Sequence, residues 1–307
     1  MNSYNKHVKI DTKNWEQLAL NSLENDGLVV LRGFSKSINI KKINNKVKSI
    51  LDRPSILGSV GYYQKDPNKK TYDGLLLGKE VVNFVANKSV LKLVESYVDD
   101  EIVLNEIMLK NDLGNYTQYF PYHRHTGADV EGPKNKPFGC GAILYLHDTE
   151  AGAFCYSIKS HKLKIEQNPE SNLSKHKKKK ELEINMLRIN GKKGDLVIFD
   201  ERGFHGPEQP VKTPRTVLLY GFQSKIATLN KSRTGIPVVI SDLKDLDENQ
   251  LKSIGIGGGT RAEYENYHLR KSVNYTKKYR FLIRIIKILS WYNKFWTKFK
   301  HKIKSLK

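Results

Sequence analysis

Two histidines one residue apart and a third some eighty positions later are the residues of this chain whose types and spacing point most directly to chemistry. His123 and His125 follow the run Tyr119-Phe120-Pro121-Tyr122. On a regular strand, where side chains alternate, both rings face the same side. His205 stands just after the apolar run Leu196-Val197-Ile198-Phe199 and the turn Asp200-Glu201-Arg202-Gly203. A pair from one strand and a single ligand from another build a metal site with open positions, and imidazoles with carboxylates around a vacant face suit non-haem Fe(II) and dioxygen. Ten residues beyond His205, Arg215 opens the strand-like Thr216-Val217-Leu218-Leu219-Tyr220. A planar guanidinium there offers two parallel hydrogen bonds to a dicarboxylate co-substrate. Nine histidines in 307 residues often give such a pair by chance, and an arginine at a strand start is commonly a surface ion pair. Spacing alone leaves both readings open.

The elements that must position these residues are legible as period. Apolar residues at helical spacing over 14–25 and 38–51, and more strongly over 79–97, predict helices, with a short buried strand at Leu28-Val29-Val30-Leu31. From Glu101 onward the pattern changes to β-rich runs: 102–109, 117–123, 141–146, 153–158, 196–199 and 216–222. Strands in succession without helices between them predict an antiparallel sandwich, jelly roll or barrel, not a nucleotide-binding α/β sheet. The lysine-rich interruption around Lys175-His176-Lys177-Lys178-Lys179-Lys180 reads as a solvated loop. Gly255-Ile256-Gly257-Gly258-Gly259-Thr260 lacks the last glycine of a dinucleotide fingerprint and follows a helical-looking stretch, so it reads as a flexible loop. No phosphate-binding GxxxxGK[ST] and no GxSxG nucleophile elbow occurs.

Composition bounds the partners. With 307 residues, 38% of them hydrophobic, the chain is long enough for one large domain or two modest ones. Two cysteines, Cys140 and Cys155, without CxxC spacing fit a reduced interior. The polar N-terminus lacks a signal-peptide core and no apolar run approaches bilayer length, so a cytoplasmic location is the expectation. The net charge of +21 is uneven: after Glu265 no acid occurs, and 13 of the 53 Lys and Arg lie in 266–307. Within 275–307, Lys277, Arg280, Arg284, Lys287, Lys294, Lys298 and Lys302 recur at helical steps opposite Phe281, Leu282, Ile285, Leu289, Tyr292, Trp296, Phe299 and Ile303. A basic amphipathic helix of this kind is expected to lie on an anionic membrane surface, the alternative being a terminal helix packed against the body or a second copy. No nucleic-acid-binding signature is present, and none is expected as a partner. Two parts follow: a domain over 1–270 and a helical tail over 271–307.

Four stretches also resemble the phytanoyl-CoA dioxygenase family of Fe(II)/2-oxoglutarate oxygenases. They run from Glu24 to Phe34, from Tyr122 through His125 with Ala142 to Leu146, from Gly152 to Lys162, and from Gly194 to His205 leading to Arg215. Together they cover roughly 14–223 in the family's order, the last stretch being the most specific. The resemblance implies an α+β fold with a double-stranded β-helix, a jelly-roll or cupin-like barrel, and helices packed outside it. Iron is then held by His123 and His205, and Arg215 pairs with the far carboxylate of 2-oxoglutarate. Thr117, Gln118 and Tyr145 are candidates to line the co-substrate pocket, and His161 matches a family segment in a supporting role. The implied activity is hydroxylation of a small-molecule, lipid-linked or saccharide substrate, with succinate and CO2 released. One departure matters: the family's His-x-Asp is His123-Arg124-His125 here. His125 as third ligand, Asp129 swinging in as the carboxylate, or a site without productive iron on a binding protein all remain open.

Overall fold

The computed structural model describes residues 1–51, 69–112, 121–125, 136–164, 170–208, 215–225, 236, 238–256, 285, 288 and 292. Its elements are β1 (Val8–Lys9), α1 (Trp15–Asp26), β2 (Leu28–Arg32), α2 (Ser37–Leu51), β3 (Lys69–Thr71), α3 (Lys79–Val85), α4 (Lys88–Val98), β4 (Ile102–Asp112), β5 (Gly139–Tyr145), β6 (Thr149–Ser157), α5 (Lys179–Ile184), β7 (Met186–Gly191), β8 (Leu196–Asp200), β9 (His205–Pro207), β10 (Arg215–Ser224) and α6 (Glu248–Ser253). They form a seven-stranded sheet, ordered β1-β2-β8-β5-β10-β4-β3, and a three-stranded sheet, ordered β7-β6-β9. All pairings are antiparallel except β1 with β2.

The larger sheet is a middle layer, and alternation along its strands sorts their side chains. Val29 and Leu31 of β2, Ala142 and Leu144 of β5, Leu196 and Ile198 of β8, and Leu218 and Tyr220 of β10 face a core shared with the helices. Their neighbours Leu28, Val30, Ile143, Tyr145, Val197, Phe199 and Val217 face the smaller sheet, with Phe154 and Tyr156 of β6 and Ile189 of β7. A strand covered on both faces needs no polar side, which is why β5 and β8 read as unbroken apolar runs. The α+β reading therefore holds, and the sheets face one another as in a sandwich. No closed barrel is formed among the described residues.

Helices differ from expectation at several places. The single helix expected over 79–97 is two, α3 and α4, because the Asn87 side chain accepts a hydrogen bond from the Val90 amide and starts α4 afresh. The apolar face of α4, with Val90, Leu91, Val94 and Tyr97, then packs into the helix-side core. The lysine-rich interruption contains α5; Lys175 and Lys177 to Lys180 are exposed, and Lys178 and Lys179 pair with Glu181 and Glu183. Most of the basic tail lies outside the described residues. Ile285, Ile288 and Tyr292 within it are helical. No helix among the described residues is long and apolar enough to cross a membrane.

Candidate metal centre

The turn from β8 to β9 is built around a buried carboxylate. Asp200 ends β8 and accepts from the Tyr97 hydroxyl at 2.7 Å, from Arg202 Nη2 at 2.7 Å and from the Arg202 amide at 2.9 Å. Arg202 stays charged because the Asp200 carboxylate outweighs the burial that opposes its charge. Gly203 closes the turn by donating to the Asp200 carbonyl at 3.1 Å. A Cβ at Gly203 would stand 2.0 Å from the Tyr156 hydroxyl, so only glycine fits. The next residue, Phe204, donates its amide to Ser160 Oγ at 2.8 Å and is fully buried. Two side chains leave this rigid turn toward the layer between the sheets: Glu201 and His205.

The segment 121–125 is zipped onto that turn by backbone hydrogen bonds. The His123 amide donates to the His205 carbonyl at 3.0 Å, the His205 amide donates back to His123 at 2.8 Å, and the His125 amide donates to the Glu201 carbonyl at 2.9 Å. His123 thus adds a short antiparallel rung beyond β9, and Asn172 bridges it from its other side. Alternation separates the three side chains. His123 and His125 turn inward, while Arg124, 1% exposed, goes to the back. There its guanidinium lies 5.0 Å from the Phe204 ring centre and donates to the Glu170 and Leu163 carbonyls. A buried cation held this way fixes which face carries the imidazoles.

The three rings meet. Centroids lie 5.7 Å apart for His123 and His125, 4.7 Å for His123 and His205, and 5.4 Å for His125 and His205. One nitrogen of each lies within 4.8 Å of the others. Nδ1 of His123 lies 3.1 Å from the Pro121 carbonyl, and Nδ1 of His205 lies 2.8 Å from the Gly203 carbonyl. A carbonyl only accepts, so each Nδ1 carries the proton and each Nε2 carries a lone pair. Burial holds the His205 pKa well below the usual histidine range, and His123 and His125 beside it push the same way. Burial and then His125 lower His123 as well. His125 Nδ1 meets Glu201 Oε2 at 3.1 Å. The donor set therefore fits a divalent transition ion: three imidazoles, each held in one tautomer by its outer nitrogen. Phe199 and Phe154 wall the group, with centroids 4.9 and 5.9 Å from the His205 ring.

The other sequence candidates are placed as follows. Arg215 is buried at the start of β10, two residues before Val217, and so faces the same layer between the sheets, near Tyr145 and Cys155. Tyr145 is wholly buried; its hydroxyl donates to the Ile189 carbonyl at 2.9 Å and accepts from the Phe154 amide at 3.3 Å. His161 packs on Gly27 with Nε2 at 3.3 Å from the Glu24 carbonyl, in the end of α1 and outside the three-histidine cluster. Thr117, Gln118 and Asp129 lie outside the described residues. Sequence reasoning gave no role to Glu201, Arg124 or the Asp200 and Arg202 pair. The signal for Glu201 was an acid inside the turn that delivers His205.

The sequence matches the phytanoyl-CoA dioxygenase (PhyH) family over residues 23–211. No curated protein matches it. Among solved structures it is similar to HygX from Streptomyces hygroscopicus with nickel and 2-oxoglutarate bound, at 16% identity and TM-score 0.51 over 68% of this chain and 87% of that one. AviO1 from Streptomyces viridochromogenes Tue57 is similar at 15% identity and TM-score 0.51, over 68% of this chain and 95% of its own. The epimerase SnoN, in complex with Fe3+, alpha-ketoglutarate and nogalamycin RO, is similar at 14% identity and TM-score 0.50, over 76% of this chain and 90% of its own. Identities this low establish a shared fold.

Proposed function

The chain belongs to the phytanoyl-CoA dioxygenase family, and from that premise we propose that it is an Fe(II)- and 2-oxoglutarate-dependent oxygenase that hydroxylates a small molecule. The observation that carries the reading is the convergence of His123, His125 and His205 with their outer nitrogens already engaged. His123, His125 and His205 would hold Fe(II), which with 2-oxoglutarate and dioxygen would supply oxidation of an unactivated carbon coupled to conversion of 2-oxoglutarate into succinate and CO2.

The protein's part is to orient and to exclude. His205 and His123 stay neutral under burial, so they bind metal without first losing protons to solvent. Arg215, buried on the same inner layer, grips the far carboxylate of the co-substrate by two parallel hydrogen bonds. Tyr145 forms the wall behind it, with its ring against Gly191, where a Cβ would stand 2.2 Å from the ring. Phe154 and Phe199 shield the buried His205 ring from water. Epimerisation, the activity in SnoN's description, needs the same hydrogen removal; hydroxylation requires in addition that oxygen return to the carbon.

A second reading has one observation in its favour. With His125 where the family has a carboxylate, the ligand set is short of one negative charge, as a metal-altered binding protein would be. Succinate formation separates the two. Purified protein with Fe(II), 2-oxoglutarate and oxygen is expected to form succinate, slowly even without substrate, above a His123→Ala/His205→Ala control. No excess over that control favours the binding protein.

We also propose that residues 271–307 form a tail that rests on an anionic membrane surface and brings the oxygenase to a lipid-linked saccharide or an acyl chain. Its support is charge and exposure: no acid follows Glu265, and Ile285, Ile288 and Tyr292 are 38%, 65% and 60% exposed.

A further inference from the structure

We propose that Glu201 supplies, through the His125 ring, the negative charge that the family's carboxylate ligand would place directly on the metal. The inference rests on the three-histidine reading and deepens it. The three imidazoles are not equivalent. Those of His123 and His205 turn Nδ1 to the peptide carbonyl two residues earlier, a neutral acceptor. His125 alone turns Nδ1 to an acid, Glu201 Oε2, at 3.1 Å.

That pairing is held by backbone as well as side chain. The His125 amide donates to the Glu201 carbonyl at 2.9 Å, so backbone and side chain of residue 125 are both tied to residue 201. The turn carrying Glu201 is fixed on its far side by Asp200, Arg202 and Tyr97. The acid also sits deeper than the ring it faces, at 10% side-chain exposure against 40% for His125. Its other oxygen lies over Gly221 of β10, where even an added Cβ would be 3.6 Å away, so β10 leaves it room.

Three neutral imidazoles leave a divalent ion with its full charge. A carboxylate hydrogen-bonded to the outer nitrogen of one of them lowers the net charge of the site by one and strengthens that ring as a donor. The exchange of aspartate for histidine at position 125 then moves the negative charge outward by one side chain and keeps it. Glu201 acts here as a positioning residue, through His125.

Fe(II) affinity, measured anaerobically by chelator competition on the full-length protein, tests this with a double-mutant cycle. Glu201→Gln is expected to weaken Fe(II) binding about 10- to 100-fold at unchanged stoichiometry. In a His125→Asp background, where the carboxylate is back on the metal, the same substitution is expected to cost less than about threefold, since Glu201 then has no imidazole to act through and contacting, coupled residues are non-additive. Glu201→Asp, which keeps the charge, is expected to retain more affinity than Glu201→Gln. With Co(II) as probe, the visible spectrum shifts on Glu201→Gln in the wild-type background only. Equal losses in both backgrounds would confine Glu201 to holding the turn and overturn the proposal. So would full affinity in His125→Ala beside lost affinity in Glu201→Gln, because Glu201 would then bind the metal itself. A wild type that binds no Fe(II) removes the three-histidine site as a whole, a failure distinct from either.

Discussion

At the scale of single residues, burial lowers the pKa of His123, His161, His176 and His205 more than any partner does. His161 lies against Gly27, whose positive φ of 87° ends α1, and an added Cβ there would be 2.4 Å from His161 Nδ1. That nitrogen is buried without a hydrogen-bond partner among the described residues. Burial lowers the His161 pKa, with Asp200 opposing. Above about pH 6.5, the usual histidine value, neither folded nor unfolded chain holds the proton. Below it the unfolded chain takes one up and the folded chain does not, so stability falls as pH drops through that window and levels off below the folded value. Urea midpoints between pH 7.5 and pH 5 are expected to fall less in His161→Leu than in wild type. Identical slopes would mean that His161 titrates as it does in the unfolded chain.

At the scale of elements, much of the fold was readable because a half-buried helix and a strand buried on both faces each leave a clear period. The helices at α1, α2 and α4 and the strands β2, β5, β8 and β10 all fall where apolar spacing puts them. The break between α3 and α4 was hidden because apolar residues continue across Asn87 and only a side-chain cap marks it. Strand β9 was missed because it has three residues, His205–Pro207, and its partners lie in β6 and at His123. The site shows the same division. His123, His125 and His205 stood out by type and spacing and do come together, whereas spacing alone left Arg215 equally readable as a surface ion pair; Glu201 and Arg124 acquire their places only when the turn at 200–205 folds against 121–125. The tail carries its own prediction at this scale. Ile285, Ile288 and Tyr292, at steps of three and four, share one helical face. Full-length Ile285→Asp/Ile288→Asp is expected to co-sediment with anionic liposomes at least about tenfold less than wild type, since each change removes buried apolar area and adds repulsion. Equal sedimentation would sink the membrane contact.

At the scale of the whole molecule, two sheets divide the labour. The larger one uses its outer face to bind the helices into a core, and its inner face, with β6, β7 and β9, to wall the three-histidine cluster proposed as the metal centre. That arrangement lets the ligands come from separated parts of the chain while the core beneath them stays apolar. The most direct test is iron K-edge X-ray absorption on the full-length protein loaded anaerobically with one Fe(II). Three imidazoles per iron are expected, falling to two in His125→Ala. Two imidazoles with a carboxylate in the wild type, unchanged by His125→Ala, would contradict the three-histidine centre and return the third position to an acid such as Asp129.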